Sequence, residues 1–239
     1  MSPEPAASSI ADRLAAIRER IAAAARSAGR DPSSILLIAV SKTFPIEAVR
    51  EAYAAGHRDF GENKVQEGLQ KIVTSADLPI RWHLLGHLQT NKARKAAPAF
   101  ATIHSVDSVD LLRKLDAAAA EAGRTPELLI QVDLAGEATK FGVAPGEVPP
   151  LLEAAAALTS ARVVGLMMLP PIPESPEDAR PYFKRLRALR DEWLAAGVPA
   201  AMLRELSMGM SADFEVAVQE GSTMVRVGTA IFGSRYVQA

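Results

Sequence analysis

Cysteine is absent from the 239-residue sequence, and its absence excludes several kinds of chemistry. A chain without thiols forms no disulfides, has no cysteine nucleophile and builds no thiolate metal site. Charge of one sign is lacking too, because 27 Lys and Arg stand against 28 Asp and Glu, a formal net charge of −1. We therefore expect no nucleic-acid partner, and any bound phosphate must be held locally.

Long apolar runs are also missing. The first 20 residues, MSPEPAASSIADRLAAIRER, are charged and helical in pattern and lack the apolar stretch of a signal peptide. The apolar runs 35–40 and 163–169 are too short to cross a bilayer, which takes roughly 20 helical residues. We expect a soluble, cytoplasmic protein without membrane contact.

Short β-rich runs alternate with amphipathic stretches of helical period along most of the chain. This alternation predicts a parallel sheet, and runs that are apolar on both faces indicate a sheet covered on both sides. A helix over about residues 9–28 comes first. The predicted strands are 35–41, 58–61, 81–86, 101–106, 127–134, 162–169, 203–209 and 223–228.

Eight such units in a chain of this length favour a closed (β/α)8 TIM barrel, an α/β fold, with an extra N-terminal helix. An open doubly wound sheet normally has a G-x-G-x-x-G turn after its first strand, whereas here that strand runs into SKTFP. Residues 1–239 are predicted to form one domain, with the helix in about 1–30 and the barrel in 35–233. The segment PPIPESP is predicted to be a loop at the barrel mouth.

Polar residues interrupt the apolar strand ends, where the functional groups of a barrel gather. Lys42 is the most unusual, because a low dielectric around its stem favours the neutral amine that forms Schiff bases. The alternative is a lysine whose ammonium extends into solvent. The strand-end residues are Ser41, Lys42, Glu62, Asn63, His83, Ser105, Asp133, Ser207, Arg226 and Thr229.

Two segments rich in small residues predict an anion site. In GSTMVRVGTAIFG a strand ends at Gly228, and the following turn exposes backbone N–H groups and the Thr229 hydroxyl. The segment LSMGMS, residues 206–211, ends the preceding strand and supplies the other half of the site. Barrels often hold phosphate at these two loops, although a glycine after a strand is also common at a simple bend.

Arg226 lies in the middle of the eighth predicted strand, and a guanidinium is not buried without an acceptor. Its partner is either a carboxylate of the barrel interior, Glu62 or Glu205, or an acceptor atom on a bound ligand. The four histidines lack metal-site spacing, and no G-x-S-x-G elbow occurs. We therefore expect neither a metal site nor a serine hydrolase triad.

Seven motifs occur in order: AVSKTFP, FGENKVQE, WHLLGHLQTNK, HSVDS, KFG, GLMMLPP and LSMGMSADFEVAVQEGSTMVRVGTAIFG. Together they resemble the pyridoxal phosphate homeostasis protein family from about residue 35 to residue 233. That family is similar to the barrel of alanine racemase, of fold type III, without its C-terminal β-rich domain. The resemblance implies that pyridoxal 5′-phosphate (PLP) is the cofactor.

The resemblance also implies residue roles. Lys42 would carry PLP as an internal aldimine, Asn63 would lie near the ring, and Arg226 would face the pyridine nitrogen. Lys140 is the next candidate anchor if Lys42 is not the one. The expected phosphate ligands are Ser207, Gly228 and Thr229, and the residues of the same motifs expected to line the pocket are His83, Met210 and Ser211.

The implied function is that of a cofactor carrier or regulator, not an enzyme, with PLP and apo PLP-dependent enzymes as partners. A protonated arginine at the ring nitrogen makes the ring a weak electron sink. The second racemase base is a tyrosine from the domain that this sequence lacks, and Tyr53, Tyr182 and Tyr236 lie in no strand-end motif. The same difference favours a monomer. A weak PLP-dependent racemase or lyase, and a barrel for another phosphorylated metabolite, are the alternatives.

Overall fold

The computed structural model describes residues 8–136 and 141–233. Its eight parallel strands close into a barrel in chain order, and the first strand pairs with the last. This confirms the predicted (β/α)8 barrel, and all eight predicted strands are present, with ends that differ by up to three residues. The strands are β1 Leu36–Val40, β2 Asp59–Glu62, β3 Arg81–Leu84, β4 Thr102–Val106, β5 Glu127–Gln131, β6 Arg162–Met167, β7 Glu205–Ser207 and β8 Met224–Val227.

Helices follow the strands and cover the outside of the barrel. The helix before β1 begins at Ser9, whose hydroxyl accepts from the Asp12 N–H while its own N–H donates to the Asp12 carboxylate. The helices are α1 Ile10–Ser27, α2 Ile46–Ala54, α3 Val65–Thr74, α4 Ala93–Ala96, α5 Val109–Glu121, α6 Val148–Ala155, α7 Arg180–Ala195, α8 Phe214–Gln219 and α9 Thr229–Phe232.

The period-2 alternation of a strand points successive side chains to opposite faces of the sheet. In β1, Leu37 and Ala39 pack outward against the helices, whereas Ile38 and Val40 belong to a separate cluster inside the barrel. The barrel therefore has a packed interior, and a ligand site is expected above it, at the carboxyl ends of the strands.

No helix within the two described ranges is long and apolar enough to span a bilayer.

Candidate functional site

A cavity of about 530 Å³ opens at the carboxyl ends of the strands. This volume is within the range of small-molecule sites. Seven of the nine residues predicted for the cofactor site lie on its wall, and they come from four different strand ends. These residues are Lys42, Asn63, Met210, Ser211, Arg226, Gly228 and Thr229.

Lys42 follows β1, and the strand end that carries it is anchored from below. Ser41 is fully buried, and its hydroxyl donates to Glu62 Oε1 over 2.6 Å. Lys71, from α3, places Nζ 2.7 Å from the Ser41 carbonyl oxygen and 2.7 Å from Glu62 Oε1. The buried Glu62–Lys71 ion pair therefore holds the hydroxyl and the carbonyl oxygen of Ser41, the residue before Lys42.

Burial dominates the electrostatics of this ion pair. It raises the pKa of the Glu62 carboxyl, although the hydrogen bonds from Lys71 and Ser41 act in the opposite direction. Among the described residues, Glu62 Oε2 has no hydrogen-bond partner. The carboxylate thus depends on Lys71 for its compensation, because an unpaired buried charge is strongly unfavourable.

Thr43, directly after Lys42, is held in a strained conformation. Its φ of +67° lies in the left-handed region, which β-branched residues rarely adopt. Its N–H donates to Glu67 Oε1 over 2.5 Å, so α3 holds this turn as well. Strain of this kind persists only where the surrounding contacts impose it, and it is frequent at ligand sites.

The close approach of Asn63 to the third strand end requires a glycine. A Cβ on Gly86 would stand 2.1 Å from the Asn63 carbonyl oxygen, a contact that backbone atoms cannot relieve. Gly86 therefore allows the turn after β2 to lie against the turn after β3. This contact brings Asn63 to the cavity wall.

The turns after β7 and β8 meet as the sequence predicts. Ser211 Oγ accepts from the Gly228 N–H over 3.2 Å, which links the two loops directly. The Met210 N–H donates to Asp213 Oδ1 over 2.6 Å and stabilises the first turn. Hydroxyls of Ser211 and Thr229 and the backbone around Gly228 thus converge on one side of the cavity.

Arg226 is buried, and its acceptors differ from the carboxylates considered from the sequence. Nη1 donates to Ser207 Oγ over 2.6 Å, and Nη2 donates to the Met168 carbonyl over 2.9 Å. Glu62 instead accepts from Ser41 and Lys71, and Glu205 accepts from Thr223 and Arg204. Burial lowers the pKa of Arg226 to about 10, with a partly compensating effect of Asp213, so the guanidinium stays charged at neutral pH.

Two predicted site residues, Ser207 and His83, are not brought to the cavity wall. Ser207 is fully buried beneath Arg226, and His83 is 2% exposed between Asp59 and His104. Both side chains point into the packed interior of the barrel, below the cavity. Their positions do not support a phosphate ligand at Ser207 or a pocket-lining role for His83.

Tyr53 and Tyr182 lie in α2 and α7, away from the cavity wall, whereas Lys140 and Tyr236 lie outside the described residues. The described parts of the chain contain no cluster of three or more histidine or acidic side chains suited to a metal ion.

A contact between a histidine of the cavity wall and an aspartate was not predicted from the sequence. His87 stacks on Phe141 with a centroid distance of 3.7 Å, and His87 Nδ1 lies 3.2 Å from Asp107 Oδ2. Burial raises the pKa of Asp107, an effect that His87 opposes. The histidine follows a strand-end glycine and the aspartate follows β4, so their proximity was readable from neighbouring strand ends.

Two further buried residues were not predicted from the sequence, namely Lys71, which pairs with Glu62, and His104, which contacts Ser207. His104 interrupts an apolar strand at an inward position, which was a usable sign of a buried polar network. Lys71 lies on an amphipathic helix, and only the packing of that helix shows that the side chain turns inward.

Comparison with known proteins identifies the family of the chain. The family model for the alanine racemase N-terminal domain matches residues 13–236. Proteins named pyridoxal phosphate homeostasis protein are 45% identical in Aquifex aeolicus, over 94% of this chain and 97% of that protein, and 46% identical in Pseudomonas aeruginosa, over 95% and 96%.

Solved structures give the same relationship. PipY of Synechococcus elongatus, solved without PLP, matches with a TM-score of 0.85 at 45% identity, over 94% of this chain and 100% of PipY. PipY solved with PLP bound matches with a TM-score of 0.83. An alanine racemase of Clostridium difficile shares only the fold, at 16% identity and a TM-score of 0.68 over 92% of this chain and 60% of the racemase. The chain therefore belongs to the alanine racemase N-terminal domain family and, within it, to the pyridoxal phosphate homeostasis proteins.

Proposed function

We propose that this protein binds PLP covalently through Lys42 and acts as a carrier or regulator of the cofactor. The observation that carries the proposal is that Lys42, Arg226 and the Ser211–Gly228 contact all border one cavity. The names of its relatives, and the PipY structure with PLP bound, support the same conclusion.

The residues present fit the three functional groups of PLP. Lys42 supplies the amine that would bond to the aldehyde, and it stands on a strand end held by buried contacts. The hydroxyls of Ser211 and Thr229 and the turn that begins at Gly228 supply donors for a phosphate. Arg226 supplies a donor for the ring nitrogen. Asn63 is proposed to lie beside the ring, and Met210 completes the wall.

Arg226 decides the kind of chemistry that this cavity favours. A guanidinium only donates hydrogen bonds, so it holds an unprotonated ring nitrogen. Bound PLP supplies an electron-withdrawing ring, and an unprotonated nitrogen weakens that property. Binding and release of the cofactor are thus favoured over reactions that need a strong electron sink.

The absence of a tyrosine from the described cavity wall also supports the carrier function. Turnover of an amino acid requires a positioned acid and base, and no tyrosine is among the described lining residues.

One observation favours a second candidate function, a weak racemase or lyase. His87 lines the cavity next to Asp107, and such a pair can transfer a proton.

A transfer assay tests the carrier function. Holoprotein is mixed with an apo PLP-dependent enzyme, with a phosphatase present to destroy free cofactor, and the recovered activity is followed. We expect recovery with the wild type and none with Lys42→Ala carried through the same loading. Steady-state turnover of any L- or D-amino acid by this protein alone would establish the enzyme function instead.

The proposal extends to partners, location and oligomeric state. Apo PLP-dependent enzymes are the proposed acceptors of the cofactor. The protein is proposed to be cytoplasmic, and the absence of cysteine is compatible with that reducing compartment. It is also proposed to be a monomer. Light scattering coupled to size exclusion measures the mass in solution. A mass of twice 25.4 kDa would rule out the monomer.

A further inference from the structure

A continuous row of hydrogen bonds crosses the barrel interior beneath the cavity. Ser207 Oγ lies 2.9 Å from His104 Nδ1, His104 Nε2 lies 3.1 Å from His83 Nδ1, and His83 Nε2 lies 3.2 Å from Asp59 Oδ1. All four residues are at most 4% exposed. We call this row the interior chain, and its members are Ser207, His104, His83 and Asp59.

The two ends of the interior chain have opposite hydrogen-bonding character. At one end the Arg226 guanidinium, which can only donate, contacts Ser207. At the other end the Asp59 carboxylate can only accept. Burial opposes ionisation of Asp59, but hydrogen bonds from His83 and Arg81 outweigh it and lower the pKa to about 2, so the group is charged at neutral pH.

The donor at one end and the acceptor at the other determine which nitrogens of His83 and His104 carry the protons. Burial lowers the pKa of His104 well below its usual value, with a further effect of the charges of His83 and Arg226. With neutral rings, Asp59 must accept from His83 Nε2–H, and His83 Nδ1 must accept from His104 Nε2–H. His104 Nδ1 then accepts from the Ser207 hydroxyl, whose oxygen accepts from Arg226. Every atom of the interior chain has a matched partner in this direction.

The opposite direction fails at one atom. A protonated His83 would donate from both nitrogens and turn the His104 proton toward Ser207. The Ser207 oxygen would then accept from both Arg226 and His104, and its hydroxyl hydrogen would be left without an acceptor among these partners in a fully buried position. An unsatisfied buried hydroxyl is unfavourable, so the assignment with neutral rings is the one that the geometry supports.

We propose that the interior chain positions Arg226 and sets the strength of its interaction with the ring nitrogen of bound PLP. The inference rests on the proposed PLP site and names positioning residues that lie below the cavity. Hydrogen bonds aligned in one direction polarise one another, so donation by Ser207 to His104 makes the Ser207 oxygen a better acceptor for Arg226. The Met168 carbonyl fixes the second amino group, and together the two contacts set the plane of the guanidinium.

The interior chain also connects Arg226 to a carboxylate at the other end of the barrel. Asp213 is the buried carboxylate whose charge acts on Arg226. The interior chain joins Arg226 to a second carboxylate across the barrel, where Arg81 holds Asp59 through bonds of 2.7 Å and 2.5 Å. The Arg81 side chain is 62% exposed, so the interior chain ends at solvent on the face opposite the cavity.

Nitrogen NMR of the apoprotein tests the direction of the interior chain without any cofactor. The imidazole signals of His83 and His104, assigned with His83→Gln and His104→Gln, are expected to be those of neutral rings protonated at Nε2. A His104 ring protonated at Nδ1 would overturn the proposal. This result does not depend on whether Lys42 is the PLP anchor, so it is separable from a failure of the proposed function.

Two buried serines provide a matched pair for the effect on the cofactor. Ser207→Ala removes the acceptor of Arg226 Nη1, whereas Ser222→Ala removes an equally buried hydroxyl whose hydrogen bonds in the structure go to backbone carbonyls. With PLP bound at saturation, we expect a shifted absorbance maximum for Ser207→Ala and the wild-type maximum for Ser222→Ala. Identical maxima in all three folded proteins would overturn the proposal.

A second pair keeps the test decisive if Ser207→Ala does not fold. His83→Gln breaks the interior chain, and His57→Gln replaces another buried histidine, whose Nε2 contacts the Asp59 carbonyl outside the chain. Only His83→Gln is expected to shift the absorbance of bound PLP. Equal shifts in both variants would mean that any buried histidine has this effect, which contradicts the proposal.

A double-variant cycle tests transmission along the interior chain. Asp59 is in β2 and Ser207 is in β7, and distant independent sites give additive effects. Transmission through the histidines predicts that Asp59→Asn shifts the absorbance in the wild type and adds no shift to Ser207→Ala. An additive shift in the double variant would overturn the proposal.

Discussion

Lys71 Nζ lies 2.7 Å from the carbonyl oxygen of Ser41, so a helix lysine holds the residue that precedes the proposed PLP anchor. The contact is almost fully shielded from water, with 8% of the Lys71 side chain exposed. The contact connects stability and function, because the same lysine compensates the buried charge of Glu62 and fixes the strand end at Lys42.

Lys71→Met is expected to lower the free energy of unfolding by about 3–5 kcal/mol, because it leaves Glu62 as an uncompensated buried charge. Urea unfolding measures the change. The double variant Glu62→Gln with Lys71→Met removes both charges and is expected to be more stable than Lys71→Met alone. A single variant as stable as the wild type would show that the ion pair does not compensate Glu62.

Lys42→Ala is expected to abolish the visible absorbance of bound PLP and the adduct that mass spectrometry detects after borohydride reduction. The fold should remain, because the half-buried side chain contributes little to core packing. Lys64→Ala is the control, since this exposed lysine lies in the neighbouring turn beside Asn63. A borohydride adduct of unchanged stoichiometry in Lys42→Ala would exclude Lys42 as the anchor and make Lys140 the next residue to replace.

The ring and phosphate assignments predict opposite effects of two substitutions. Arg226→Glu is expected to shift the PLP spectrum more than it weakens binding. Thr229→Val is expected to weaken PLP affinity by about 1–2 kcal/mol, the loss of a charge-assisted hydrogen bond, with an unchanged spectrum. Titration followed by absorbance measures both quantities. An unshifted spectrum in a folded Arg226→Glu protein would remove the assignment to the ring nitrogen.

Gly86→Ala is expected to lower both stability and PLP affinity, because its Cβ would stand 2.1 Å from the Asn63 carbonyl oxygen and push that turn away from the cavity. Gly146→Ala is the matched control, since no atom lies within 4 Å of its added Cβ. Thermal unfolding and PLP titration of both variants distinguish a local clash from a general effect of replacing glycine. Equal stability and equal PLP affinity of the two variants would contradict a close approach of Gly86 to Asn63.

His57 predicts a loss of stability in mild acid. Burial is the largest of the effects that together lower its pKa to about 4 from 6.5, so the folded state keeps the ring neutral while the unfolded chain takes up a proton below 6.5. Its contribution is present above pH 6.5 and is lost as the pH falls toward 4, by about 3 kcal/mol. Between these pH values the wild type should lose more unfolding free energy than His57→Gln. Parallel curves would exclude this cause.

The sequence alone predicted the barrel and seven of the residues that line the cavity. Alternating β and α patterns determine a parallel barrel because each strand must bury both faces, and the carboxyl ends of parallel strands meet on one face. Lys42 and Thr229 follow apolar strands directly, so their arrival at the same cavity required no knowledge of packing.

Only the tertiary structure decided the depth and the partners of the other polar residues. Strand alternation places Ser207 and His83 on the inward face, but strands tilt and stagger in a barrel, so equal distances from a strand end give unequal depths. Both lie below the cavity and join Arg226 to Asp59. The inward turn of Lys71 likewise depends on how α3 packs, because its helical pattern alone fits a solvent-exposed lysine equally well.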